Sequence, residues 1–334
     1  MSERLRPVKK LLQACRQDGL RALYRQVYWW RHDRRQLEVL TGVRTVVAFG
    51  ESLGDNLLCV SVLAELHASG AGPLAMLTPY PELFAPLPFP VRCLPYDLGT
   101  LAALSRRGPR LLLPSYGHYQ PALDRHVPAP RDHLIVELCR SVGLRGTVEL
   151  KPLLRLTDAE RRAGEARARG AILVQSSNRA ARMASANKEW LLDRWQQTVD
   201  ALRPKHRVAQ IGPASDPALA GVEDFRGKFG FRELAAVLAG ARLYVGGEGF
   251  LMHLARAVDC RSVIVLGGRT APHQTCYREN TNLYTPLPCA PCWQTNTCEF
   301  GRECLARISV ADVISAIDAQ LQLPPLSAGE RVAL

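Results

Sequence analysis

The sequence predicts an α/β protein with two domains, each built on a parallel sheet, that face each other across a cleft. Strand-like runs followed by apolar residues at helical spacing occur in two successive series. The 334 residues are also enough for two domains with separate cores. We therefore expect two Rossmann-like domains, an N-terminal one over residues 42–165 and a C-terminal one over residues 166–322.

The composition indicates a basic globular protein. Hydrophobic residues make up 47% of the chain and charged residues 22%, and Lys plus Arg exceed Asp plus Glu by 43 − 31 = 12. This balance favours anionic partners such as nucleic acid, phosphate-bearing substrates or an acidic membrane surface. No aromatic-and-basic RNA-binding motif is present, so no nucleic acid partner is expected. Without a membrane-spanning run or a secretory signal, we expect a cytoplasmic protein with reduced thiols.

Residues 1–41 form a basic arm. They contain ten Lys or Arg against four Asp or Glu, with apolar residues at helical spacing between them and Tyr28, Trp29 and Trp30 after them. A basic amphipathic helix with aromatic residues suits an anionic membrane surface. A helix packed on the first domain, with its charged face in solvent, fits the same pattern.

The first series begins with a strand-like run over residues 45–50. Leu58, Val62 and Leu66 then recur every fourth residue, which predicts a helix that begins near Asn56. Asp55 therefore lies at a strand-to-helix turn. Aspartate at such a position serves as a helix N-cap or as a catalytic base, and the local pattern leaves both open.

The second series starts after a helix-favouring segment over residues 157–169. It ends with an amphipathic helix over residues 310–321, followed by a tail, residues 323–334, that lacks pattern and is expected to be mobile. Between these limits we predict strands over residues 171–176, 207–212, 242–247 and 262–267. We predict helices over residues 190–202, 231–239 and 254–258.

A candidate ligand site follows the strand of residues 242–247. Glu248 and Gly249 lie at its carboxyl end, where ligands bind in parallel sheets. Backbone N–H groups at the start of the next helix can bind a diphosphate, assisted by the helix dipole. His253 is one helical turn further on, and packing within the helix is the alternative role for it.

Four of the ten cysteines fall within residues 289–304. They are Cys289, Cys292, Cys298 and Cys304, and the three intervals between them contain two, five and five residues. Four thiolates could hold one structural Zn or Fe ion, and reduced buried thiols or a later disulfide are the alternatives. A closed four-ligand site leaves no coordination position for a substrate, so the metal would have no direct part in catalysis.

The chain resembles glycosyltransferase family nine, the ADP-heptose heptosyltransferase family of bacterial surface-glycan assembly. Four landmarks occur in the family's order: Leu53-Gly54-Asp55-Asn56-Leu57-Leu58, Lys188-Glu189-Trp190, Glu248 to Leu254, and the cysteine-rich segment that leads into Ile308 to Val313.

This resemblance implies a GT-B fold, with the nucleotide sugar held mainly by the C-terminal domain, and inversion at the anomeric carbon without a catalytic metal or other cofactor. It also implies that Asp55 is the general base and that Lys188, Ser176 and Ser177 bind the donor phosphates. The chain departs from the commoner family pattern at Phe250, which occupies the usual Gly position.

The predicted function is transfer of a sugar, with heptose from ADP-heptose favoured, to a hydroxyl of a lipopolysaccharide-core or other lipid-linked surface-glycan acceptor. The basic arm would bring the enzyme to the inner membrane as a peripheral protein. One alternative is a protein O-heptosyltransferase that acts on Ser of a surface protein. Another, of a different class, is a basic nucleic-acid or membrane binding protein without catalysis.

Overall fold

A computed structural model describes residues 37–50, 52–106, 108–180, 184–324, 326 and 329–334. Its helices are α1 (Leu53–Ala68), α2 (Leu98–Arg106), α3 (Leu134–Ser141), α4 (Asp158–Ala168), α5 (Leu192–Leu202), α6 (Phe231–Ala239), α7 (Phe250–Ala257), α8 (Pro272–Thr275), α9 (Glu303–Ala306) and α10 (Val310–Leu321). Three short 3-10 turns cover Pro81–Phe84, Pro121–Leu123 and Ala186–Lys188.

The strands form two parallel sheets and two antiparallel pairs. They are β1 (Thr45–Ala48), β2 (Leu74–Leu77), β3 (Val91–Leu94), β4 (Arg110–Leu112), β5 (His118–Gln120), β6 (Arg125–Val127), β7 (Thr147–Glu149), β8 (Ile172–Val174), β9 (Val208–Gln210), β10 (Glu223–Asp224), β11 (Leu243–Gly247), β12 (Ser262–Leu266), β13 (Thr281–Tyr284) and β14 (Arg331–Ala333).

The first sheet has the strand order β3-β2-β1-β4, and every pair in it is parallel. Its central strand β1 is fully buried, and Thr45 pairs with Leu74 on one side and Arg110 on the other. Helix α1 buries Leu57, Leu58 and the residues that follow them against this sheet and α3. The sequence predicted this helix because apolar burial at period four requires it.

The second sheet has the order β10-β9-β8-β11-β12-β13 and is also parallel throughout. Counted from β8, this is the order 3-2-1-4-5-6 of a Rossmann domain. Strands β8, β11 and β12 are buried along their whole length, as continuous apolar runs require when helices cover both faces. The predicted two-domain α/β class is confirmed.

The predicted division between residues 165 and 166 falls inside α4. This helix packs closely on α6: a Cβ at Gly164 would lie 2.0 Å from the carbonyl oxygen of Ala236. Arg232 of α6 also binds Glu160 of α4 in an ion pair. The whole of α4 therefore belongs with the second domain.

The tail differs from its prediction. Its last residues form β14, which pairs with β7 in an antiparallel arrangement that sets Val332 opposite Val148. The Gly329 N–H donates to the Glu149 carboxylate at 2.8 Å. Sequence periodicity could not detect this strand, because its stability comes from a partner about 180 residues earlier in the chain.

Most of the predicted basic arm, residues 1–36, lies outside the described residues. Among the helices that are described, none combines the length and the apolar character needed to cross a membrane.

Candidate active site

Strand order reverses at one point in each sheet, between β1 and β4 in the first and between β8 and β11 in the second. Parallel α/β sheets bind ligands at the carboxyl ends of the strands beside such a point. In the first sheet, Asp55 follows β1 and Tyr116 follows β4. In the second sheet, Ser176 follows β8 and Glu248 follows β11. The predicted catalytic and donor-binding residues thus come from both switch points.

Asp55 is not the helix cap. Ser52 occupies that position, and its side chain accepts a hydrogen bond from the Asp55 N–H at 3.4 Å. The half-buried Asp55 carboxylate instead accepts a hydrogen bond from the Tyr116 hydroxyl at 3.2 Å. Burial raises the pKa of Asp55 above its ordinary value of 3.8, and the positive charges of Lys188 and Arg269 limit the rise. The carboxylate is therefore free of a structural capping role.

Lys188 and Glu248 form a buried ion pair. Nζ lies 3.0 Å from Oε1, and the side chains are 20% and 5% exposed. The other carboxylate oxygen of Glu248 accepts a hydrogen bond from the Thr270 hydroxyl at 2.7 Å. Burial alone would raise the pKa of Glu248, but the charges of Lys188 and Arg269 hold it below its ordinary value. Glu248 thus stays ionised and orients Lys188.

His253 lies in the first turns of α7 and is 6% exposed. Its Nδ1 is 2.7 Å from the Tyr277 hydroxyl. Burial lowers the pKa of His253 to about 3, so the ring is neutral at physiological pH. A Cβ at Gly54 would lie 3.9 Å from His253 Cδ2 and 3.8 Å from Phe250 Cα, so the start of α7 meets the first turn of α1, which carries Asp55.

The two predicted serines are engaged within the protein. The Ser176 hydroxyl donates to the Pro217 carbonyl at 3.3 Å and accepts from Gln210 at 2.9 Å. The Ser177 hydroxyl donates to the Glu189 carboxylate at 2.9 Å. Among the described residues, no hydrogen bond joins either serine side chain to Lys188 or Glu248. Their hydrogen bonds hold the loop after β8 in shape.

Asn178 lies beside Gly247 and Gly249 of the candidate site, a position that the sequence did not predict. A Cβ at Gly249 would lie 2.8 Å from its Oδ1, and one at Gly247 would lie 2.9 Å from its Nδ2. The Asn178 N–H donates to Glu189 at 2.6 Å, which fixes the loop beside the two glycines. A side chain at either glycine would have to displace the end of the Asn178 side chain.

Arg269 is a second residue that the sequence did not reveal. It follows β12, is 7% exposed, and its buried Nε has no hydrogen-bond partner. One terminal nitrogen lies 3.1 Å from Nδ1 of His126, and the guanidinium carbon lies 4.9 Å from the ring centre of Trp293. Burial and the charge of Arg269 lower the pKa of His126 to about 4. The two side chains shown against this buried cation, His126 and Trp293, are thus both neutral.

The four cysteines of residues 289–304 line one cavity of about 290 Å³, together with Arg269. Within the described part of the chain, no group of three or more His, Cys, Asp or Glu side chains is arranged to hold a metal ion. The thiols are unpaired. The predicted set of four cysteines therefore shares a cavity, but it does not form a ligand cluster as it stands.

Residues 146–301 match the family model of glycosyltransferase family 9 (heptosyltransferase). No curated protein matches the sequence. Among solved structures, heptosyltransferase II of E. coli, an ADP-heptose lps heptosyltransferase, has a TM-score of 0.61 at 15% identity, over 83% of this chain and 98% of its own. A family 9 glycosyl transferase of Veillonella parvula has a TM-score of 0.58 at 17% identity, over 84% and 97% of the two chains.

A third similar structure is TibC of enterotoxigenic E. coli, an iron-containing dodecameric glycosyltransferase. Its TM-score is 0.60 at 16% identity, over 83% of this chain and 76% of its own. TibC has also been solved in complex with ADP-D-β-D-heptose. The three structures share the two-domain fold and confirm the predicted GT-B class. The sequence of residues 146–301 and the fold of the chain are accordingly both similar to glycosyltransferase family 9 (heptosyltransferase) proteins.

Proposed function

We propose that the protein is an inverting glycosyltransferase that moves heptose from ADP-heptose to a hydroxyl of a lipopolysaccharide-core or other surface-glycan acceptor. The observation that carries this proposal is that Gly54, next to Asp55 in the first domain, meets the start of α7 in the second, just after Glu248, which forms an ion pair with Lys188. A base and a phosphate-binding cation from opposite domains are what a transfer across a cleft requires. The ADP-heptose complex of TibC supports the choice of donor.

Asp55 would act as the general base. Its carboxylate takes the proton of the acceptor hydroxyl while the oxygen bonds to the anomeric carbon. The bond from that carbon to the phosphate oxygen breaks on the opposite face, and its electron pair goes to the phosphate. A single displacement of this kind inverts the configuration. The hydrogen bond from Tyr116 holds the carboxylate in position for the acceptor.

The start of α7 would bind the diphosphate. The first turn of a helix has N–H groups without intrahelical partners, and its dipole favours an anion there. Lys188, oriented by Glu248, adds a positive charge. A Tyr277 hydroxyl that donates to Nδ1 leaves the proton of neutral His253 on Nε2, where it can donate to a donor oxygen.

Asp55→Asn tests the base. The variant keeps the shape of the side chain and removes a partly buried charge, so we expect turnover to fall about 10²- to 10⁴-fold. Its thermal midpoint should change little, because burial already opposes the charge. Asp318→Asn, an exposed position on α10, is the matched control and should keep full activity. Wild-type turnover in Asp55→Asn would remove the proposed base.

The acceptor and the location are part of the same proposal. We infer a peripheral protein at the cytoplasmic face of the inner membrane, supported by the basic, aromatic character of residues 1–41. Flotation with liposomes that contain anionic lipid should require these residues. Equal flotation of a chain without them would contradict the anchoring role. If the sugar were transferred to a purified surface protein and not to a lipid-linked glycan, the glycan acceptor would be wrong and a protein acceptor would take its place.

We also propose one structural Zn or Fe ion, supported by the four cysteines on one cavity. Holding it requires the thiol side chains to turn towards a common centre, because they are not so arranged now. Anaerobically purified protein should contain about one ion per chain. A folded, metal-free protein would overturn this part of the proposal without affecting the proposed transfer.

A further inference from the structure

Arg269 differs from the other cation of the site in its charge balance. The positive charge of Lys188 is offset by Glu248 at 3.0 Å. No carboxylate forms an ion pair with Arg269 among the residues that the structure describes, and its Nε has no partner. A buried guanidinium without a counter-charge is costly unless a ligand supplies one. The arrangement therefore leaves one positive charge available for a bound anion.

Arg269 also occupies the right place for a ligand of both domains. Its charge lowers the pKa of Asp55 and of Glu248, so it lies within electrostatic range of the base and of the Lys188 pair. The next residue, Thr270, donates its hydroxyl to Glu248 at 2.7 Å. Arg269 thus belongs to the loop that already contacts the donor side of the site.

The cysteine-rich segment holds this loop. The Trp293 N–H donates to the Arg269 carbonyl at 2.8 Å, and the Cys292 N–H donates to the Gly268 carbonyl at 2.9 Å. The buried Trp293 ring lies under the guanidinium, and its Nε1–H donates to Gln274 at 3.1 Å. Fixed on two sides, the ring restricts the guanidinium to one orientation by a cation–π contact.

We propose that Arg269 binds the diphosphate of the nucleotide sugar as the second cation beside Lys188, and that Trp293 positions it. This inference rests on the proposed function. When the bond from the anomeric carbon to the phosphate oxygen breaks, the electron pair stays on the diphosphate and its negative charge increases by one. The acceptor proton goes to Asp55, so the charge balances. A neutral Lys188–Glu248 pair stabilises that increase less than a free guanidinium does.

The test compares the affinities for ADP and AMP, measured by titration calorimetry on the full chain. ADP differs from AMP by the phosphate that the two cations would bind. Arg269→Gln should weaken ADP binding about 10- to 100-fold and AMP binding about threefold or less. Arg269→Lys should recover part of the loss, because it keeps the charge but not the planar fork. Arg125→Gln is the matched control, since Arg125 lines the same cavity but is exposed.

Trp293 is tested as a positioning residue. Trp293→Phe keeps an aromatic ring and should leave the ratio of AMP to ADP dissociation constants within about threefold of wild type. Trp293→Leu should lower that ratio as Arg269→Gln does. An equal loss of AMP and ADP affinity in Trp293→Leu indicates structural damage and overturns the positioning role.

The outcomes separate this inference from the proposed function. If wild type binds ADP and Arg269→Gln has an unchanged ratio of AMP to ADP dissociation constants, the inference is wrong and the proposed donor stands. If wild type binds no ADP, UDP or GDP, the proposed function itself fails, and the inference fails with it.

Discussion

The ion pair of Lys188 and Glu248 gives the most quantitative test of the site. Its atoms are 3.0 Å apart and its side chains are 20% and 5% exposed, so salt screens it little. Removal of one partner from a buried pair costs about 3–5 kcal/mol of unfolding free energy, because the other charge stays desolvated. Because Lys188 is partly exposed and each group keeps other neighbours, we expect losses of about 2 to about 4 kcal/mol for the two single changes.

The two single changes are not equivalent. In Lys188→Met, Glu248 keeps the Thr270 hydroxyl and the charge of Arg269, so we expect a loss of about 2 kcal/mol. In Glu248→Gln, Lys188 loses its counter-charge. Burial and then the charge of Arg269 lower the pKa of Lys188. Deprotonation then limits the loss to about 4 kcal/mol at a pH near 7.5, from an ordinary pKa of 10.5.

The upper limit on the loss of unfolding free energy in Glu248→Gln depends on pH. In Glu248→Gln the folded pKa of Lys188 lies below the unfolded one, so the unfolded chain binds more protons between the two values. Stability therefore rises with pH through that range, and the penalty of the substitution shrinks towards pH 10.5.

Urea unfolding of wild type, both single variants and the double variant measures the coupling. We expect about 2–3 kcal/mol, unchanged when salt rises from about 0.1 to about 1 M. The exposed pair of Arg307 and Glu303 is the control and should give less than about 0.5 kcal/mol. A value as small for Lys188 and Glu248 would refute the buried pair.

Two further predictions concern the proposed base, Asp55, and the packing of α4 on α6. Because burial raises the pKa of Asp55, turnover should fall as the pH drops through that pKa. Tyr116→Phe should move the acidic limb of the pH–rate profile to higher pH, since it removes a hydrogen bond that lowers the pKa of Asp55. An unchanged acidic limb would contradict the contact between Tyr116 and Asp55. Gly164→Ala should cost about 1–3 kcal/mol in urea unfolding, because its Cβ would lie 2.0 Å from the Ala236 carbonyl, whereas Gly230→Ala, with 3.8 Å of clearance, should cost less than about 1 kcal/mol. Equal losses in the two glycine variants would show that the helices are not packed so closely.

Local pattern was enough for much of the fold. The bounds predicted for α6 and α10 agree with the structure, since strong apolar periodicity and nearby capping residues define both. Helix α1 begins at Leu53, earlier than the predicted start near Asn56, because Ser52 provides the cap. The assignment of Asp55, Glu248 and His253 to one end of the sheets followed from their positions after strands.

Contacts between distant residues could not be predicted. Arg269 meets His126 across 143 residues of sequence, and neither stands beside a recognisable motif. Ser176 is engaged by Gln210 and the Pro217 carbonyl, which only the folded sheet brings near. A hydroxyl after a strand predicts a ligand site, but the sequence does not show which hydroxyls the protein itself already uses.

The absence of a side chain at Gly54 sets how closely α1 of the first domain can approach the start of α7 in the second. A methyl group at position 54 would just touch Phe250 and His253, at 3.8–3.9 Å. Because a Cβ is already in contact, the further atoms of a longer side chain would press on the start of α7 and increase its distance from Asp55. Gly54→Leu is therefore expected to move the start of α7 away from Asp55 without replacing any of the polar side chains of the candidate site.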